Sequence, residues 1–534
     1  MDVLNNLAFG FSHALTLQNL MFCAIGCMVG TLVGLLPGLG PLATISLLLP
    51  LTYSIPTTGA LIMLAGIYYG AQYGDSVSAI TMKIPHASSI VACIDGYQMN
   101  LKGQTGLALF TAGISSFIGG TVAIVVLAWL APSLGEVAFL FGPADYCSLM
   151  LLGFLCVSFV TTGHLLNGLA MCLIGVLFGQ IGTDVNSGME RFTFDQPFLA
   201  EGVGLVSVAL GCFGIAEIAK NLDAGNERTP FNGKIHLMPT WPEFKRILPS
   251  ALRGSAVGSF LGILPGGGPV IAQFAAYALD KKVSKYRHEI GTGVIEGVAG
   301  QAAADEAASR TSFIPLMSIG IPENPVMALM MGAFIIKGIQ PGPNMIAGHP
   351  DLFWGLVASM WIGNVFLLVL NVPLVRYWLS VFKIPYNVLF PSILFFCCIG
   401  TFSVNNNLDD IFVTALFGLC GYVFMRLDMD PSPLMLGFIL GPMLEENFRR
   451  AMLISRGKFD VFVQRPISAT LLGLMAVFIA WQLVGFVLQA RRKAAARRLA
   501  SGPAGPAPIE AAPMVPVGAE AAAGAGTGSP PAGV

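Results

Sequence analysis

Charge is scarce in this sequence, and its scarcity sets the class of protein before any motif is read. Of 534 residues 55% are hydrophobic and only 11% charged, whereas a water-soluble domain carries roughly a quarter. So few charged groups cannot coat a globule in water. Also missing is the period-two alternation of a membrane barrel, whose segments run about ten residues; stretches such as 121–130 and 471–488 are apolar on nearly every face. A spanning helix needs roughly 20 apolar residues, and runs of that kind recur along the whole chain. The expected fold class is therefore all-α: a polytopic transmembrane helical bundle of about eleven or twelve crossings. Lys and Arg are absent before Lys83, and only Lys83, Lys102 and Arg191 precede Lys220, so orientation signals in the first half are weak. Met1-Asp2-Val3 has no basic region of the kind that opens a cleavable signal peptide, and the first apolar run is read as a retained span. The ten cysteines lie in or beside apolar segments without metal-ligand spacing and read as small hydrophobes. His164, His236 and His349 are isolated, so neither a metal nor another cofactor is expected.

What is present is organised in two similar halves. A first transmembrane repeat (1–219) is followed by a hydrophilic linker (220–248), a second repeat (249–450), a final connection with the last helix (451–490) and a disordered Ala/Gly/Pro-rich tail (491–534). Three landmarks recur in order. Leu36-Pro37-Gly38-Leu39-Gly40-Pro41 returns as Leu264-Pro265-Gly266-Gly267-Gly268-Pro269, Ile84-Pro85 returns as Ile321-Pro322, and Gly142-Pro143 faces Ile384-Pro385. Pro265 follows Pro37 by 228 residues, Pro322 follows Pro85 by 237 and Pro385 follows Pro143 by 242. Such slowly drifting offsets fit duplication with small insertions. The basic excess of the linker places it in the cytoplasm. The basic clusters on either side of the last helix give opposite answers for the C-terminus.

Within lipid a Pro-Gly interruption exposes backbone groups that must find protein or water partners, so it lines something. A helix beginning at such a break presents free N–H groups and the positive end of its dipole, a site for carboxylate oxygens. Two breaks from two repeats can face one another near the middle of the membrane. Gly38, Leu39, Gly40 and Pro41, with Gly266, Gly267, Gly268 and Pro269, are therefore candidate substrate-binding residues. Pro85, His86, Ser88 and Ser89, with Pro322, Glu323 and Asn324, form the candidate set at the second landmark. Asp75, Lys83, Asp305, Glu306 and Arg310 are the ionisable groups beside these segments. At membrane depth such groups mark a solute or ion pathway, or pair with one another. Lys83 and Arg310 either bind substrate carboxylates or are neutralised by Asp75, Asp305, Glu306 or Glu323. Glu217 and Glu445-Glu446 read as helix-end residues, and Thr161-Thr162-Gly163-His164 as a loop at a membrane face.

Taken together, these residues make the chain resemble the large membrane subunit of the tripartite tricarboxylate transporters, the TctA-type permease. The match rests on Leu36 to Pro41, Ala65-Gly66-Ile67-Tyr68-Tyr69-Gly70-Ala71, Asp95-Gly96-Tyr97, Arg191-Phe192-Thr193-Phe194, Ile295-Glu296-Gly297-Val298-Ala299, Gln340-Pro341-Gly342-Pro343, Ser403-Val404-Asn405-Asn406 and Gly441-Pro442-Met443-Leu444-Glu445-Glu446-Asn447. The resemblance implies a multi-pass permease of the bacterial inner membrane, importing a small organic anion of the di- or tricarboxylate class. It implies coupling to a Na⁺ or H⁺ gradient, and as partners a small four-span membrane subunit and a periplasmic solute-binding protein; no nucleic acid is expected. Side chains depart from the family pattern at the suspected pathway. Asp75 stands for Gly, Lys83 for Asn, His86-Ala87 for Gly-Glu, Asp305-Glu306 for Asn-Asn, Arg310-Thr311 for Gly-Gly and Glu323-Asn324 for Gly-Ser. The backbone devices stay while the polar groups change, which points to kept geometry with a changed substrate or coupling ion. The alternative class, an intramembrane enzyme acting on a lipid-linked or small polar substrate, needs a nucleophile with its base or a metal cage, and neither grouping is visible.

Overall fold

A computed structural model describes residues 2–36, 40–83, 89–160, 165–184, 187–223, 239–264, 268–379 and 386–480. Helices dominate it. The first part contains α1 (Asp2–Ala14), α2 (Leu17–Gly34), α3 (Pro41–Leu48), α4 (Thr57–Met82), α5 (Ala92–Leu101), α6 (Thr105–Ala138), α7 (Pro143–Val160) and α8 (Leu165–Gly179). After a two-residue hairpin, Gly182–Thr183 against Glu190–Arg191, come α9 (Leu205–Ala209) and α10 (Ala216–Asp223). The second part runs through α11 (Trp241–Leu261), α12 (Gly268–Val283), α13 (Ile295–Thr311), α14 (Phe313–Ser318), α15 (Pro325–Ile336) and α16 (Pro343–Gly348). It closes with α17 (Pro350–Asn371), α18 (Val375–Leu379), α19 (Tyr386–Asn405), α20 (Asp409–Arg426), α21 (Ser432–Ile454) and α22 (Val461–Gln464). All these helices lie in one compact unit, Met1–Met475.

Three described helices, α2, α6 and α17, are each long and apolar enough to cross a bilayer in one straight pass. Other apolar helices are shorter because Pro and Gly interrupt them, as α3 and α15 illustrate, each opening on a proline. The chain is thus an all-helical, multi-pass membrane bundle. Many of its large apolar side chains face outward, among them Trp129, Leu173, Phe395 and Phe412. That is the surface a lipid environment accepts and water does not.

The inner helices meet through small residues. A Cβ added at Gly26, Gly30 or Gly34 of α2 would come within 2.4, 2.4 or 2.2 Å of the carbonyl oxygens of Met63, Ile67 and Ala71 on α4. At Gly254, Gly258 and Gly262, along α11 and its C-terminal cap, it would come within 2.0, 2.3 and 2.4 Å of the carbonyls of Gly300, Ala304 and Ala308 on α13. Backbones this close leave room for hydrogen only, the usual way of packing helices where lipid offers no hydrophobic drive. The two glycine rows are 228 residues apart and their partner rows 237 apart, the spacings of the first two sequence landmarks. The third landmark, at Ile384-Pro385, lies outside the described residues, as does Thr161-Thr162-Gly163-His164.

Asp95 on α5 holds the entry to α13. Its carboxylate, fully buried, accepts from the amides of Gly291, Gly293 and Val294 at 2.9, 2.7 and 3.1 Å and from the Tyr277 hydroxyl at 2.8 Å. The Asp95-Gly96-Tyr97 motif is thus accounted for by a structural clamp. Asp95→Ala leaves several buried donors without an acceptor, each worth about 1–3 kcal/mol. The detergent-purified variant is expected to lose about 3 kcal/mol or more of stability by that count, measured as a lowered thermal midpoint. Asp95→Asn, keeping one acceptor oxygen, is expected to lose less.

Candidate functional site

Four helix N-termini converge on one cavity. The cavity, of about 250 Å³, is lined by Gly40, Pro41, Leu42 and Ala43 at the start of α3 and by Pro269 and Val270 at the start of α12. Asn324, Pro325 and Val326 open α15 there, Ser432 opens α21, and Tyr68 and Gln72 of α4 with Phe213 and Glu217 complete the wall. Both Pro-Gly interruptions therefore border the same space, as their repetition in the sequence suggested. The positive ends of four helix dipoles are gathered at this cavity, an arrangement that favours negative charge.

The chain supplies its own acceptors to three of these ends. Asn324 caps α15, its side-chain oxygen accepting from Met327 N at 2.9 Å. Asp430 accepts from Ser432 N at 2.8 Å at the head of α21. At α12 the amide of Gly268 donates to the Glu323 carboxyl at 3.3 Å; Gly268 has a φ of 36°, in a region that disfavours residues with a Cβ. The cap residue of α3, Gly40, has no side chain to offer, and α3 begins with Pro41, whose nitrogen carries no hydrogen. Among the described residues, α3 is the one of the four ends that receives no side-chain acceptor.

Behind the wall lies a layer of buried polar groups. Asp305 of α13 is 2% exposed and accepts from Gln273 Nε2 of α12 at 2.9 Å and Gln72 Nε2 of α4 at 3.4 Å. It ties α4 and α12, which both line the cavity, to α13 behind them. Arg310, fully buried, makes an ion pair with Glu306 one turn earlier, donates to Asn364 Oδ1 at 3.0 Å and sits 4.3 Å from the centre of the Tyr69 ring. Neither Arg310 nor Glu306 lines the cavity. Lys83 ends α4 in a left-handed conformation, φ 57°, exposed and 5.6 Å from the centre of the Tyr97 ring. It too is absent from the cavity wall. Asp75, Ser89 and Pro322 are buried and are not part of that wall. Gly38, Leu39, Gly266, Gly267, Pro85, His86 and Ser88 lie outside the described residues.

Of the sequence candidates, the structure brings Gly40, Pro41, Pro269 and Asn324 together on the wall, with Gly268 and Glu323 immediately behind. Sequence reasoning missed Gln72, Phe213 and Ser432 and read Glu217 as a helix end. Phe213 lies in a π-helical segment, Leu210–Ile215, and Glu217 follows it in the first turn of α10; such a local widening recurs at functional sites, and no hydrophobic period announces it. Glu445 joins α21 to the hairpin: Arg191 donates to it at 2.9 Å and to Asp184 at 2.7 Å, and Arg449 bonds Asp184 at 3.0 Å. The hydrogen bonds with Glu445 and the two nearby carboxylates hold Arg191 above the ordinary arginine value. Glu445 and Glu446, read from the sequence as helix-end residues, lie instead inside α21, nine and eight residues before its last.

Comparison with known proteins gives two relatives and a family. A protein of Agrobacterium vitis, described as "Uncharacterized 52.8 kDa protein in TAR-I ttuC' 3'region", is 50% identical over 486 residues, 90% of this chain and 96% of that protein. A second, "Uncharacterized protein in TAR-II ttuC' 3'region", also from Agrobacterium vitis, is 54% identical over 227 residues, 42% of this chain and 94% of that protein. No solved structure matches. Residues 20–436, which hold both Pro-Gly breaks and the whole cavity wall, match the family model for the tripartite tricarboxylate transporter TctA family, and the chain belongs to that family.

Proposed function

We propose that this chain is the permease subunit of a binding-protein-dependent secondary transporter that carries a small organic anion across the bacterial inner membrane, driven by an ion gradient. Its partners are a small four-span membrane subunit and a periplasmic protein that delivers the anion. The observation that carries this reading is the cavity of about 250 Å³ bordered by both breaks and by four helix N-termini. It fits a few carboxylate-sized groups, and the amide end of α3 at its rim, which has no side-chain cap, replaces water that a carboxylate gives up, with the other three dipole ends adding favourable potential. Neutral donors supply the selectivity for charge, so the anion is released without breaking a full ion pair.

The matched glycine rows support a further step: the halves arose by duplication, and α2–α4 and α11–α13 are equivalent rigid pairs. Each pair is stiff because its backbones touch. Alternating access then consists of movement between pairs, with the breaks as the place where anion contacts change.

Proteoliposomes holding the chain with its cognate subunits test the reading. Radiolabelled acetate, succinate and citrate are offered under a sodium gradient, a proton gradient or neither. Saturable, gradient-driven uptake of at least one di- or tricarboxylate is expected, with acetate transported least. Absence of uptake and exchange for every carboxylate sinks it.

A further inference from the structure

We infer that Glu323 is a proton-carrying carboxyl that couples anion movement through this chain to a proton gradient; this rests on the permease reading above. Glu323 is 1% exposed, and among the described residues no Lys, Arg or His forms an ion pair with it. Three neutral groups surround it instead. Gly268 N donates to Oε2 at 3.3 Å, Asn324 Nδ2 donates to Oε1 at 2.6 Å, and the Ser312 hydroxyl is hydrogen-bonded to Oε1.

The hydrogen bonds accommodate the acid form as well as the ionised one. Ser312 Oγ also lies 2.7 Å from the carbonyl oxygen of Ala308, which already accepts from Ser312 N at 2.9 Å, so the hydroxyl has one hydrogen to give and Ala308 does not depend on it. When Glu323 is ionised, Ser312 donates to its Oε1. When Glu323 carries the proton, it donates to Ser312 Oγ and Ser312 turns its hydrogen to Ala308 O, so the row is satisfied in both states. Oε2 then still accepts from Gly268, and Oε1 from Asn324. An unpaired buried carboxylate is costly, and a complete set of hydrogen bonds to the neutral acid removes that cost.

The surrounding charges leave the proton as the compensating cation. On α13 Arg310 is committed to Glu306 and Asn364, and Asp305 is held by Gln72 and Gln273. The Tyr68 side chain on α4 lies within electrostatic range of Glu323, and Glu217 lies on the cavity wall, 3.9 Å from Lys220. Asn324 and Pro269, which line the cavity, adjoin Glu323 and Gly268 in sequence, so the carboxyl is one side chain behind the anion space. A Glu323 carboxylate competes with the anion for the positive end of α12. Taking a proton from water on the side to which the cavity opens gives the neutral acid and lifts that competition. Releasing it to water on the other side restores the carboxylate and expels the anion. Proton and anion binding are thereby linked, and by equal factors in both directions.

Glu323→Gln in the full chain, reconstituted with its cognate subunits, separates coupling from transport. Radiolabelled succinate and citrate serve as probes. Wild type is expected to accumulate one of them when the outside is acidic, without sodium. E323Q, a permanent neutral stand-in, is expected to keep exchange within about threefold and to lose pH-driven accumulation at least about tenfold, the range of ordinary site-to-site coupling. Accumulation by E323Q equal to wild type overturns the inference, as does a wild type driven by sodium and indifferent to pH. If E323Q does not exchange, E323D decides: a displaced pH dependence of uptake supports the inference and an unchanged one overturns it. A wild type with neither exchange nor uptake overturns the permease reading itself, so the two failures are distinguishable.

Discussion

Gly30→Leu and Gly258→Leu are each expected to prevent the protein from being recovered as a single folded species in detergent. The hydrogen at each of these positions faces a backbone carbonyl on the neighbouring helix: a Cβ would stand 2.4 Å from Ile67 O and 2.3 Å from Ala304 O. Backbone cannot rotate away as a side-chain tip can. Even alanine must force the helices apart, an overpacking cost of about 1–3 kcal/mol, and leucine adds three more carbons to the same seam. Nothing else compensates, because lipid tails welcome the separated apolar faces as readily as a neighbouring helix does. The expected order is leucine worse than alanine at both sites, read from monodispersity on size exclusion and from thermal aggregation. Gly153 of α7, where a Cβ meets nothing within 4 Å, is the matched control and should accept alanine without loss. Because α2 leads into the first break and α11 into the second, surviving alanine variants should also lose carboxylate uptake. Uptake at the wild-type rate by a folded Gly258→Leu protein contradicts the close-packed pair as the unit that moves.

What the sequence made legible was the local backbone chemistry. Proline lacks a donor and glycine lacks a Cβ wherever they stand, so the interruptions before Pro41 and at Gly268-Pro269 could be read without neighbours. Their meeting at one cavity followed from order and repetition. Side-chain fate was less legible, because it depends on which helix lies alongside. Lys83, read as a candidate pathway cation, is exposed at the end of α4 beside Tyr97. Ser432 and Phe213 reach the cavity from segments with no unusual pattern of their own. Asn324 and Glu323 adjoin in sequence yet differ in position: one lines the cavity, and the other is buried against Gly268 and Ser312.

The buried pair Glu306–Arg310 shows how such a choice is settled by experiment. Its spacing of one helical turn was compatible with an ion pair or with an arginine free to hold a substrate carboxylate. In the structure Arg310 is enclosed by Glu306, Asn364 and the Tyr69 ring, and among the described residues its Nε has no hydrogen-bond partner. Removing one member leaves the other charged in an apolar interior, at a cost of about 3–5 kcal/mol, whereas replacing both by apolar residues is often neutral. Arg310→Met and Glu306→Leu are therefore each expected to lower the thermal midpoint sharply. The double variant should recover most of the loss, with a coupling energy of at least about 2 kcal/mol in the mutant cycle. It should also transport, since Arg310 does not line the cavity. A double variant that is as stable as wild type but no longer binds or exchanges any carboxylate would return Arg310 to the substrate. Recovered stability together with recovered uptake leaves the anion to the helix ends, and to Gly40, Pro41 and Pro269 around it.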